Sequence, residues 1–128
     1  MDPMEDMEDP ARIAVKFLNL ASSGQVDEAY RLVKPGGKHH NPYYAAGWDA
    51  LATGMREAAG RAPEQVISVK RVISDGELVA VHSHVVPDPG GAGIAVVHMF
   101  RFEEGQIAEL WDVGQLLPVD SPNGDGVF

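Results

Sequence analysis

The sequence predicts a single α+β domain in which helices come first and an antiparallel sheet follows. Two observations predict it. Apolar residues recur at helical spacing in the first half of the chain, and from Val66 onward β-branched residues cluster in runs divided by Asp-Gly and Glu-Gly turns. At 128 residues the chain is long enough for one domain with a core of its own.

The elements follow in order. Asp9-Pro10 offers a capping carboxylate and a proline at the first helical position. Ile13, Phe17, Leu20 and Ala21 then form one stripe, and Ser22-Ser23-Gly24 ends it. A short second helix is expected over Val26–Val33, closed by Lys34-Pro35-Gly36-Gly37. Residues 38–47, with His39-His40-Asn41-Pro42-Tyr43-Tyr44, read as irregular, His39 facing solvent. A third helix from about Trp48 to Gly60 carries Trp48, Leu51, Ala52, Met55 and Ala59 on one side. Four strands are expected: Val66–Ile73, Leu78–Val86, Ile94–Phe102 and Gln106–Leu116, with a loop at Pro87–Gly93 and a polar tail from Pro118. Residues 1–10 read as a flexible acidic arm and residues 11–128 as the domain.

Composition excludes several classes of function. There is no cysteine, which removes disulfides, thiolate metal sites and cysteine nucleophiles and suits a reducing cytoplasm. The net charge of −9 repels phosphate backbones, so no nucleic-acid partner is expected. No apolar run reaches a membrane span, and the acidic N-terminal stretch does not resemble a signal peptide.

Register, taken from the turns, places side chains on faces. The Asp75-Gly76 hairpin opposes Ser74 to Glu77, hence Val69 to His82. The Glu103-Glu104-Gly105 turn opposes Phe102 to Gln106, hence His98 to Leu110 and Val96 to Asp112. A symmetric middle loop opposes His82 to His98. One face then collects Ala80, His82, His84, Val96, His98, Phe100, Leu110 and Asp112, with His98 and Asp112 as diagonal neighbours about 7–8 Å apart. The other collects Val79, Val81, Ser83, Met99, Arg101, Glu109 and Trp111, with Arg101 and Glu109 paired. Both faces are largely apolar, which predicts a homodimer that covers one of them.

Several stretches resemble the SnoaL-like polyketide cyclase family of the NTF2-like superfamily. They are His40-Asn41-Pro42, Leu78-Val79-Ala80-Val81-His82-Ser83-His84, and above all His98-Met99-Phe100-Arg101-Phe102 leading through Gly105, Ile107 and Glu109 to Trp111-Asp112-Val113-Gly114-Gln115. The ending Asn123-Gly124-Asp125-Gly126-Val127-Phe128 is also similar. The resemblance implies a cystatin-like cone of helices on a curved, mainly antiparallel sheet around a small-molecule pocket, in a protein that is usually dimeric. It implies an aldol-type closure that needs no metal or cofactor, with Asp112 as acid/base and His98 nearby.

Each feature also has a structural reading. Asp112 lies on an otherwise apolar face, where a carboxylate serves either as general base or as an acceptor for a neighbouring amide or ring. His98 among Val96, Phe100 and Phe102 is either a satisfied core histidine or a donor to a reacting oxygen. His40 and Asn41 either make a turn or line a pocket rim. His82, Trp48, Tyr44 and Phe100 are core or interface residues that would contact a ligand if they line a cavity. His82-x-His84 is also a metal-ligand spacing, but Pro87 and Pro89 disturb the path to Asp88 and no second motif follows, so no metal is expected. Two functions stand: a cofactor-independent cyclase or isomerase acting on a small apolar carbonyl ligand, and a non-catalytic binding or dimerisation module.

Overall fold

The computed structural model describes residues 9–128. Most of the expected acidic arm lies outside the described residues. Asp9 caps the first helix by accepting from the Ala11 amide at 3.0 Å, and Pro10 opens that helix. The elements run α1 (Pro10–Ser22), α2 (Val26–Ala29), a 3-10 turn (Tyr30–Leu32), β1 (Val33–His39), α3 (Trp48–Arg61), β2 (Val66–Asp75), β3 (Leu78–Val86), β4 (Ile94–Glu103) and β5 (Gln106–Leu116).

The sheet has five strands, in the order β1-β5-β4-β3-β2, rather than the expected four. The added strand is β1, which contains the Lys34-Pro35-Gly36-Gly37 stretch read as a helix breaker. It pairs parallel to β5 at the sheet edge, through Val33–Ile107 and then Lys38–Glu109 and His39–Leu110. An edge strand tolerates proline and an irregular middle, because its outer amides need no strand partner. Gly36 takes a φ of +79° inside that irregularity. Gly37 allows a close approach: a Cβ there would lie 2.6 Å from the Ala108 carbonyl oxygen and 2.6 Å from the Trp48 ring.

Turn chemistry sets where each hairpin begins to pair, and bulges then shift the register. The β2–β3 hairpin pairs Asp75 with Leu78, so Gly76 takes the first central position, with a φ of +61°. Glycine there avoids the left-handed strain that an Asp75-Gly76 centre would place on Asp75. A bulge between Val69 and Arg71 then sets Val69 opposite Ser83. In the β4–β5 turn both Glu104 and Gly105 have positive φ, 51° and 79°, so Glu103 pairs with Gln106. Ala108 is the extra residue of a second bulge, and His98 therefore faces Asp112 directly rather than diagonally.

The β3–β4 register also differs from expectation. The Pro87–Gly93 loop is not symmetric: Val85 pairs with Ile94, so Val81 faces His98 and His82 faces Val97. Gly93 turns the chain with a φ of +83°, and the His84 ring bonds the Ala92 carbonyl at 2.7 Å. Val79, Val81 and Ser83 therefore turn inward. His82 and His84 lie on the opposite, outer face.

The helices cover the inner face. Phe17 of α1 is fully buried, edge-on to Tyr30 at 5.4 Å and to Phe100 at 6.0 Å between centroids. Leu51 and Trp48 of α3 complete the core with Val79, Val81, Phe102, Ile107 and Leu110. No helix among the described residues is long and apolar enough to cross a membrane.

The close approach at Gly37 is testable. Gly37→Ala should lower unfolding free energy by about 1–3 kcal/mol, because the backbone of β5 cannot give way. Gly60→Ala, with nothing within 4 Å of the added carbon, should leave stability at or above wild type. Urea midpoints of the two variants check this.

Candidate functional site

The inner face carries a polar row of His98 and Asp112 in a largely apolar surface. His98 of β4 and Asp112 of β5 sit directly opposite each other, and Val81 flanks His98 on the other side. Asp112 reaches the edge of the packed region, where it lines an open groove of about 530 Å³. Asn41, Tyr43, Ile94, Val96 and Gly114 form other parts of that wall. Gly114 leaves the floor beside Asp112 bare, its nearest neighbour for an added carbon being the Ile94 side chain at 3.5 Å.

The loop after β1 holds the carboxylate. Asn41 Nδ2 donates to Asp112 Oδ2 at 2.9 Å, while Asn41 Oδ1 accepts from the Tyr43 amide at 2.9 Å. The turn reading and the pocket-rim position of Asn41 therefore coexist. His39, expected to face solvent, is buried and organises this loop. Its Nδ1 accepts from the Asn41 amide at 3.1 Å, so Nε2 donates to the Ala45 carbonyl at 2.7 Å. His39 ends a strand that the sequence did not reveal, and its loop-building role had no local signal.

His98 is held neutral. Burial pushes its pKa from 6.5 down to about 4, against a smaller opposing pull from the Asp112 charge. Its Nδ1 is sealed from solvent and has no hydrogen-bond partner. A neutral imidazole beside a carboxylate can donate to a developing oxyanion while the carboxylate takes a proton.

The other expected site residues divide. Phe100 is fully buried two residues along β4, 6.4 Å from the His98 ring, as core wall beside the site. Trp48 is buried too, and its indole N–H is committed to the Lys34 carbonyl at 2.8 Å. Tyr44 lies over Gly54 of α3. His40 and His82 are on the outer face, away from Asp112. His40 bonds Glu109 at 2.6 Å and stacks on Trp111 at 5.1 Å. His82 contacts Arg71 and packs on Phe128. Arg101 pairs with Glu109 at 3.0 Å, as expected. Among the described residues, no group of three His, Asp or Glu side chains is placed to hold a metal ion.

The helix-covered sheet agrees with the family comparison. The SnoaL-like domain model matches residues 14–110. The chain belongs to the SnoaL-like domain family. Solved structures of similar fold include a cystatin-fold protein from Novosphingobium aromaticivorans, with 17% identity, 83% of this chain and 98% of that one covered, and a TM-score of 0.71. An NTF2-like protein from Cytophaga hutchinsonii shares 14% identity over 88% of this chain and 95% of its own, with a TM-score of 0.70. IdmH of Streptomyces antibioticus, a proposed polyketide cyclase, shares 16% identity over 84% of this chain and 92% of its own, at 0.68. These likenesses establish the fold of the SnoaL-like chain. No curated protein matches it.

The desolvated ring makes stability depend on pH. Unfolded His98 takes up a proton near pH 6.5, whereas folded His98 resists until about pH 4. Stability should therefore be level above pH 6.5 and fall as pH drops from 6.5 to 4, by at most about 3 kcal/mol. His98→Gln should flatten that segment of the profile. Urea unfolding at pH 7 and pH 4.5 measures both.

Proposed function

We propose that this SnoaL-like domain is a cofactor-independent cyclase or isomerase acting on a small apolar carbonyl compound. The observation that carries the reading is the direct opposition of His98 and Asp112 on the inner face, with Asp112 opening onto the groove. A carbonyl ligand lying over Val96 and Gly114 presents its α-carbon to Asp112. Asn41 holds Oδ2, which leaves Oδ1 to take the proton. The neutral His98 ring, directly opposite Asp112, donates to the carbonyl oxygen as it gains charge. Neither step requires a metal or an organic cofactor.

One observation favours the second reading, a non-catalytic binding module. Asp112 already has a structural partner in Asn41, and Phe17, Leu51 and Phe100 fill the region beneath the helices. A 1,3-dicarbonyl probe in deuterium oxide separates the two. Wild type should catalyse exchange of the α-proton, and Asp112→Asn should slow it by about 10²–10⁴-fold with folding unchanged. Normal exchange in the variant removes Asp112 as the base. Binding without exchange in wild type supports the module.

The outer face supports a homodimer. Ile73 and Val113 are each 64% exposed and Met99 39%. Ile73, Leu78, Ala80, Met99 and Trp111 line an apolar hollow of about 320 Å³. Light scattering at micromolar concentration should give twice the monomer mass, and Met99→Glu should shift it to monomer. A wild-type monomer overturns this assembly.

A further inference from the structure

Two buried polar atoms among the described residues have no partner: Ser83 Oγ and His98 Nδ1. They lie on the same face of the sheet. Ser83 faces Val96 on β4 while Val81 faces His98, so Ser83 and His98 are diagonal neighbours, about 7–8 Å apart by backbone. Ser83 is wholly buried in a row otherwise made of valines, between Val69 on β2 and Val96 on β4. A buried hydroxyl and a buried imidazole nitrogen are each costly alone, and they are complementary as donor and acceptor.

We propose that Ser83 is a positioning residue for His98: its hydroxyl donates to Nδ1 across one internal water, and so keeps the ring proton on Nε2. Backbone groups of both strands are spent on the ladder, so the hydroxyl and the nitrogen are the two groups left to satisfy each other. A water of this kind has two polar partners, enough to hold it in a buried site. With Nδ1 occupied from the Ser83 side, the neutral ring offers a single donor, Nε2–H. That fixes His98 as a hydrogen-bond donor and denies it the role of base, which stays with Asp112. The donor role rests on the function proposed above. The placement of the proton does not.

The sequence alone hides this relation. With His82 expected opposite His98, Ser83 falls on the other face. Only the one-residue offset of β3 against β4 brings it beside the imidazole.

Nitrogen NMR of the ligand-free protein at pH 7 tests it. In wild type, His98 should show one tautomer, protonated at Nε2, with Nδ1 at the position of a hydrogen-bonded acceptor. Ser83→Ala should move the Nδ1 resonance to that of a free acceptor, and Ser83→Thr, which keeps the hydroxyl, should restore it. A wild-type ring protonated at Nδ1, or an Nδ1 resonance unmoved by Ser83→Ala, overturns the proposal. α-Proton exchange of the 1,3-dicarbonyl probe should also fall in Ser83→Ala, by about tenfold as a partial loss of acid/base catalysis, and recover in Ser83→Thr. If wild type exchanges nothing, the proposed activity fails while the nitrogen spectra still decide the role of Ser83.

Discussion

The β4–β5 ladder is the constraint on which the site depends. Its two-residue turn, with positive φ at Glu104 and Gly105, starts the pairing one residue earlier than a three-residue turn would. The Ala108 bulge then absorbs one residue and returns alternate side chains to the faces the core requires. Ile107 and Leu110 both end up inside as a result. Beyond the bulge the pairing is continuous to the end of the strand, so the position of Asp112 opposite His98 follows from how the hydrophobic residues nearer the turn are buried. Moving β5 by one residue would bring Asp112 to the outside and a large apolar residue, Trp111 or Val113, into the polar row.

The two faces of the sheet hold polar groups in different ways. On the inner face, desolvation outweighs the pull of the Asp112 charge, so His98 stays neutral well below the usual histidine range. On the outer face, charges run in a connected series. Lys34 bonds Glu103 at 2.8 Å, Glu103 bonds Arg101 at 2.6 Å, Arg101 bonds Glu109 at 3.0 Å, and Glu109 bonds His40 at 2.6 Å. The hydrogen bond from Lys34, followed by that from Arg101, takes the Glu103 carboxyl down to about 2. That series ties the edge strand β1 and the loop after it to the centre of the sheet. Residues 40 and 41 straddle the boundary: His40 joins the outer series and stacks on Trp111, while Asn41 reaches over the β5 edge to Asp112. The loop is thereby anchored on both sides, and His39 beneath it fills the third corner.

This arrangement bears on function more than the fold does. Structures at 14–17% identity share the architecture, and one architecture carries unrelated activities. The local arrangement is a carboxylate held by one oxygen, a neutral ring facing it, and an open groove with a glycine floor. The core beneath the helices is filled by aromatic and aliphatic side chains, and the open space beside Asp112 is a groove at the strand ends rather than a deep cavity.

Much was determined by the sequence itself. Periodicity and turn residues located all three helices and four of the five strands, because those signals are local: 3.6-residue and 2-residue repeats and the φ demands of glycine. The family motifs around His98 and Asp112 lie across a single tight turn, so their shared face was readable too. Tertiary structure decided the rest. Lys34-Pro35-Gly36-Gly37 forms a strand only because β5 is there to pair with it, and no local propensity reports a distant partner. The bulges at residues 70 and 108 and the asymmetric Pro87–Gly93 loop each move the pairing by one residue. In a sheet of period two, that step is the whole difference between inside and outside. It sent His82 outward and Ser83 inward, and it could not be counted along the chain, because burial of the whole inner face, rather than any one turn, selects the register.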